Sequence, residues 1–180
     1  MKWPHRNTVL TLCVLAFFVT MAARLAISPV ATLVIEEFRV SKSLLGLALS
    51  GMWLAYAVTQ FPSGVLGSKY GERVVILAAV GGMSVFVVTL AISPMFPVFV
   101  LSCVLLGGFA GLHYPAATTL ITRSFDEAGT VIGVHGFGAP LAGLATPVAV
   151  SWLGVRYGWR AAILSVAVVG VPIFALFYAR

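Results

Sequence analysis

Acidic residues are the scarcest chemical group in this chain: five Asp and Glu in 180 residues, against eleven Lys and Arg. Charged residues of both signs make up 9% of the sequence, where a soluble domain carries about 25%. A chain so short of charge cannot cover a water-facing surface. With 61% apolar residues and a mean hydropathy of +1.07, its solvent over most of its length is lipid. The net charge of +6 comes from basic residues scattered singly between apolar runs, with no stripe or patch. That distribution excludes nucleic acid as a partner. Cysteine is nearly absent. Cys13 and Cys103 both lie inside apolar segments without metal-type spacing, so a disulfide framework or zinc site is not expected. Two small buried hydrophobes are the simpler reading. No His-Glu-x-x-His motif, no Gly-x-Ser-Gly nucleophile and no intramembrane aspartate pair occurs. An enzyme is therefore not expected, nor catalytic residues, a metal or a cofactor. A channel would need a polar filter or pore stripe, and none is seen.

Long apolar runs are what the chain does have. A membrane-crossing helix needs about 20 mostly apolar residues. Charges and prolines divide the sequence into six such spans: about 8–35, 44–66, 74–92, 98–122, 129–153 and 161–178. The first carries Arg24 and a kink at Pro29. From Val74 to Thr122 there are 49 residues without Asp, Glu, Lys or Arg, which is too long for one span. The Ser93-Pro94-Met95-Phe96-Pro97 segment divides it, since two prolines cannot sustain a helix interior. Lys2 and Arg6 before an apolar stretch also have the look of a cleaved signal peptide. The five spans that follow favour a retained first helix.

The sequence repeats itself at an offset of 87 residues. Leu66-Gly67-Ser68-Lys69-Tyr70-Gly71-Glu72-Arg73 returns as Leu153-Gly154-Val155-Arg156-Tyr157-Gly158-Trp159-Arg160. At the same offset Phe38 meets Phe125, Gly46 meets Gly133, Gly51 meets Gly138 and Thr59 meets Thr146. Three spans per unit is an odd number, so the second unit enters the membrane from the opposite side. The expected architecture is an all-α membrane protein, with residues 1–180 forming one six-helix bundle built of inverted repeats at about 8–92 and 94–179. With the N-terminus inside, Lys2, Arg6, Lys69, Arg73, Arg123 and Arg180 fall on the cytoplasmic face, and Arg39, Lys42, Arg156 and Arg160 outside. This positive-inside bias predicts a multi-pass cell-membrane protein with both termini cytoplasmic.

Between the second and third spans, Gly64, Leu66, Lys69, Gly71 and Arg73 resemble the signature loop of the major facilitator superfamily. Ser68 stands where that family usually has Asp, and Glu72 where it usually has a basic residue. In the family the loop latches one conformational state, so Gly64, Ser68, Lys69, Gly71 and Arg73 are the candidate gating loop. A serine brings no charge, and a weaker or different latch follows; a tight positive-inside turn is the alternative. Its basic residues are placed to bond the carbonyls of a neighbouring helix end. Gly107, Gly111, Pro115, Ala116 and Ala117 resemble the family's glycine-rich fourth helix, with Cys103 at the position of a basic residue in some proton-coupled members. Gly138-Ala139-Pro140-Leu141-Ala142-Gly143 approximates a fifth-helix segment of proton-coupled antiporters, with Ala139 and Ala142 in place of Gly. Gly107/Gly111 and Gly129/Gly133 also share the Gly-x-x-x-Gly spacing that lets helix backbones touch in lipid.

Ionisable groups inside spans mark pathways or partners. Arg24 is the outstanding one; it either snorkels to the outer headgroups or faces a cavity, where its fork suits carboxylate or phosphate. His113, Tyr114 and His135 lie on the fourth and fifth spans, which line the family's cavity. Each imidazole is either an interhelical hydrogen-bonding group or a coupling-proton carrier. Tyr56 and Gln60, four apart on one helical face, are either interhelical glue or substrate contacts. No Asp or Glu falls within a span interior. The resemblance implies a secondary active transporter of a small solute, an organic anion among the candidates, working by alternating access. A non-transporting six-helix scaffold, or an inactive partial transporter, is the alternative. The expected partners are the lipid bilayer, a small-molecule substrate and a second six-helix half, either a missing C-terminal domain or a second copy.

Overall fold

A computed structural model describes residues 6–179, which are mostly helical and contain no strand among the described residues. Lys2 and Arg180, two of the basic residues assigned to the cytoplasmic face, lie outside them. The helices are α1 (Arg6–Leu25), α2 (Ala31–Phe38), α3 (Lys42–Tyr70), α4 (Glu72–Ala91), α5 (Phe96–Gly111), α6 (His113–Thr122), α7 (Ala128–Gly136) and α8 (Gly138–Ala179). Five stretches are long and apolar enough to cross a membrane: Arg6–Phe38, Lys42–Tyr70, Glu72–Ala91, Phe96–Thr122 and Ala128–Ala179. The fifth covers both the fifth and the sixth sequence-derived spans. Its 52 residues are interrupted at Gly158, whose φ of 82° and ψ of 161° are not helical.

Each break has a local cause. Pro29 sits at the start of a 3-10 turn, Ser28–Val30, and separates α1 from α2, because proline offers no N–H to continue the ladder. Arg39 ends α2 in the left-handed region at φ 53°. Ser41 then caps α3, its Oγ accepting from the Leu44 N–H at 3.1 Å. Between α3 and α4 the connection is one residue, Gly71 at φ 92°. The signature loop is therefore mostly helix, with Gly64, Gly67, Ser68 and Lys69 in the last turns of α3.

The core lies where α1, α3, α4, α5 and α8 pack: α3 on α5, α1 on α8, and α4 against both α5 and α8. One of the two Gly-x-x-x-Gly pairs makes a helix contact. A Cβ on Gly107 would lie 2.0 Å from the Met52 carbonyl oxygen, and one on Gly111 2.3 Å from that of Tyr56. The backbones of α3 and α5 thus touch at these glycines, as in other lipid-embedded helix pairs. A Cβ on Gly129 or Gly133 would meet nothing within 4 Å, so the packing role expected of that pair is not found among the described residues. Both cysteines are buried and free.

Both ends of α4 are tied down. At its start, Arg73 Nη2 donates to the Tyr178 carbonyl at 2.6 Å, and Glu72 pairs with Arg123. At its other end, Arg160 Nη2 donates to the Ser93 carbonyl at 2.9 Å and pairs with Glu37 at 2.7 Å; the Trp159 indole N–H also donates to Glu37. Arg73 and Arg160 are 87 residues apart, and each bonds a carbonyl at a helix end in the other half of the chain. The signs of the ion pairs are exchanged. On one side the acid is in the turn and the base on the facing helix end, and on the other the reverse. Arg6 pairs with Asp126, which sets the start of α1 beside the Arg123 end of the bundle.

Candidate functional site

Arg24 lies in the last turn of α1 and is 1% exposed. Its side chain is buried inside the bundle. Nε donates to the Thr20 carbonyl at 3.1 Å, one turn back. The guanidinium carbon sits 3.7 Å from the centre of the Tyr56 ring and 4.8 Å from that of Trp53. A cation over two aromatic faces gains electrostatic attraction without hydrogen bonds. Nη1 and Nη2 have no hydrogen-bond partner. The ion pairs among the described residues involve Arg6, Arg123 and Arg160, none of them Arg24. A buried guanidinium with its outer fork unsatisfied is costly to hold. It is also a geometry that accepts a carboxylate, sulfonate or phosphate end-on through two donors.

Trp53 was not singled out by sequence reasoning. Its signal was available, because it stands three residues before Tyr56 and so shares that face of α3. Gln60, one turn beyond Tyr56, is half-buried, and its side chain makes no hydrogen bond among the described residues.

The two histidines form a pair. His113 opens α6 immediately after the break at Leu112, and His135 lies in the last turn of α7, just before the break at Phe137. Both are fully buried, with ring centroids 5.5 Å apart. Phe17 of α1 packs on both, at 5.9 Å from His113 and 5.1 Å from His135. Tyr114 stacks on His135 at 5.4 Å and lies 5.0 Å from Phe17. The Cys13 backbone lies beside both rings, yet no ring nitrogen reaches a partner in hydrogen-bonding geometry. Phe17 and Arg24 are seven residues apart, two turns on one face of α1 and about 10 Å in rise. One helix face thus carries the histidine cover at one level and the guanidinium at the next.

The break at Leu112 is itself supported. Ser63 of α3 is fully buried, and its Oγ donates at 2.6 Å to the carbonyl of Leu112, the N-cap residue of α6. Sequence reasoning missed this residue, since only the crossing of α3 and α6 brings it there.

In the loop, Ser68 does not cap a helix N-terminus. Its Oγ donates to the Val65 carbonyl at 2.8 Å within α3, and Gly71 occupies the cap position of α4. Lys69 lies over the Tyr70 ring at 5.1 Å. Arg73 bonds the Tyr178 carbonyl in the last turn of α8, as the reading of the loop's basic residues expects. Glu72, the departure from the family pattern, takes Arg123 as its partner.

A helical bundle of membrane-spanning length, with an unpaired cation and an imidazole pair in its interior, defines a multi-pass membrane protein with a buried polar site. Residues 13–180 match the family model of the Major Facilitator Superfamily, and the chain belongs to that family. It is 30% identical over 179 residues to the "Probable sulfoacetate transporter SauU" of Cupriavidus necator, covering 97% of this chain and 41% of that one. To the hexuronate transporter of Bacillus subtilis it is 24% identical over 159 residues, covering 87% of this chain and 38% of the relative. Its fold matches the inward-facing crystal structure of a bacterial homolog of the human lysosomal transporter Spinster, with a TM-score of 0.88 at 19% identity, over 99% of this chain and 43% of that one. The chain spans about two fifths of the length of the curated relatives it matches.

Proposed function

We propose that this chain is the six-helix half of a secondary transporter that moves a small organic anion by alternating access, with Arg24 as the anion-binding residue. The observation that carries the reading is the buried guanidinium with two free donors and no acidic partner. Sulfoacetate and hexuronate, named for two relatives, are both organic anions. Trp53 and Tyr56 brace the cation from one side, leaving the outer fork for substrate. Gln60, one turn from Tyr56 on α3, is the further polar contact for the solute.

Division at Gly158 gives a sixth span, and the repeat at an offset of 87 residues then yields two inverted three-helix units, about 8–92 and 94–179. The exchanged clasps at the two ends of α4 support that symmetry. A second six-helix half completes the cavity. Exposed Leu54, Val58 and Phe61 on α3, and Leu144, Val148 and Val155 on α8, are apolar faces suited to it and to lipid. Gly64, Ser68, Lys69, Gly71 and Arg73 form the loop that gates one state. The protein resides in the cell membrane with both termini cytoplasmic, since Arg6, Arg73 and Arg123 share one end of the bundle.

The test is uptake of radiolabelled sulfoacetate and glucuronate into proteoliposomes holding the full-length protein. Two charge-assisted hydrogen bonds contribute about 1.5–3 kcal/mol each. Loss of the fork in Arg24→Ala is therefore expected to lower uptake at least about tenfold. Arg24→Lys restores charge without the planar fork and recovers only part. Uptake in Arg24→Ala within twofold of the wild type would refute the anion site.

A further inference from the structure

The histidine pair is not used by the anion-binding reading, and its surroundings are unusual for imidazoles. His113 and His135 are fully buried, face one another at 5.5 Å, and have all four ring nitrogens without a partner in hydrogen-bonding geometry. Each stands at a discontinuity in a helix, the end of α7 and the start of α6. Phe17 of α1 covers both. We propose that His113 and His135 together form a single proton-binding site that couples proton movement to solute movement, with Phe17 as its cover. The coupling role rests on the transporter reading; the shared proton does not.

The chemistry balances within the pair. A proton from water on one side of the membrane bonds to the lone-pair nitrogen of one neutral imidazole, giving an imidazolium. Rotation of the rings brings a nitrogen of one against a nitrogen of the other, and the new N–H then donates to the second ring, which keeps its own proton on its far nitrogen. Release to water on the other side returns both rings to the neutral form. One proton is the capacity, because two adjacent imidazoliums near the Arg24 cation would repel one another.

The groups around the pair support this assignment. α1 brings Cys13 and Arg24, and α6 brings Tyr114. α3 brings Tyr56, engaged with Arg24, besides Lys42, Lys69 and Tyr70 near its ends; α5 has only the buried thiol of Cys103. On α4 the ionisable residues are Glu72 and Arg73, held in the clasp at its first turn, and on α8 they are Arg156, Tyr157 and Arg160 about Gly158 and Tyr178 near the end. Among the described residues no carboxylate faces the pair, so proton binding here relies on the imidazoles. A covering ring that leaves gives the site access to water in one state and not in the other.

The first test needs no substrate. Full-length protein labelled with 15N-histidine is titrated in nanodiscs by NMR. The His113 and His135 rings are expected to move together through one proton-binding step, and in His135→Gln the midpoint of His113 is expected to shift by about one pH unit or more. Two independent midpoints, or no protonation of either ring over the range in which the protein stays folded, would overturn the proposal. His113→Gln gives the reciprocal measurement if His135→Gln does not fold.

The second test uses sulfoacetate and glucuronate as probes in proteoliposomes. His113→Gln and His135→Gln are expected to keep solute counterflow and lose accumulation driven by a pH gradient. Gradient-driven accumulation intact in both variants overturns the coupling role. Absence of counterflow in the wild type instead tells against the anion-transport reading, and the NMR titration then decides the pair.

Discussion

Substitution of Gly107 by alanine tests the packing of the bundle where the structure separates two sequence-identical patterns. The added Cβ would sit 2.0 Å from the Met52 carbonyl oxygen and 2.8 Å from its carbon. Ordinary carbon–oxygen contacts begin near 3.3 Å. The α3 and α5 backbones must therefore separate by about 1 Å, and backbone cannot rotate aside as a flexible side chain would. A gap of that size forfeits a quarter to a half of the attraction at each atom pair it opens. Insertion of one methyl into a tight contact costs about 1–3 kcal/mol, and here the obstacle is rigid, so the upper part of that range is expected. The control is Gly133→Ala, whose Cβ meets nothing within 4 Å. That change removes a helix-interior glycine and is expected to be neutral or to stabilise by up to about 1 kcal/mol. Thermal unfolding of detergent-solubilised protein, followed by the monodisperse fraction on size-exclusion chromatography, measures both. Opposite signs are expected, with Gly107→Ala lowering the midpoint. A Gly107→Ala midpoint equal to or above that of Gly133→Ala would refute the α3–α5 contact.

Two further outcomes follow from named bonds. Ser63→Ala removes the donor to the Leu112 carbonyl; hydrogen bonds between membrane helices average about 0.6 kcal/mol with a maximum near 1.7, and a loss near that average is expected, because the carbonyl of an N-cap residue also accepts the first bond of its helix. The same unfolding assay reads it, with Ser165→Ala as a control whose bond is local, to Ala162 in its own helix. At the clasp, a double-mutant cycle on Glu72→Gln and Arg123→Gln is expected to give a coupling of about 0–1 kcal/mol, since the arginine side chain is 65% exposed. A coupling well above that range would show the pair to be shielded from water.

Much of the architecture was legible in the chain. Composition alone chose lipid as the solvent, because 9% charge leaves nothing to face water with. Proline and glycine marked the breaks at Pro29, Pro94 and Gly71, since their backbone limits act locally and need no tertiary partner. Arg24 stood out for a similar reason: a cation within an apolar run is conspicuous at any depth. Other features were not legible. Gly107/Gly111 and Gly129/Gly133 read alike, and only the crossing of α3 with α5 distinguishes a contact from an open face. The single helical stretch from Ala128 to Ala179 likewise conceals its interruption in one residue's dihedral angles, φ 82° and ψ 161° at Gly158.

Sequence by itself thus determined the medium, the family, the approximate spans and the identity of the polar residues that lipid would not tolerate. These follow from hydropathy, chain-local sterics and a repeat, all one-dimensional properties. The tertiary structure decided what those residues do to one another. It turned Arg24 inward onto Trp53 and Tyr56 and joined His113 to His135 across two helix breaks. It also set Ser63 against the Leu112 carbonyl and gave Glu72 an arginine 51 residues away. Each of these depends on which helices cross and at what level. That is a matter of packing between distant segments, which no local pattern encodes.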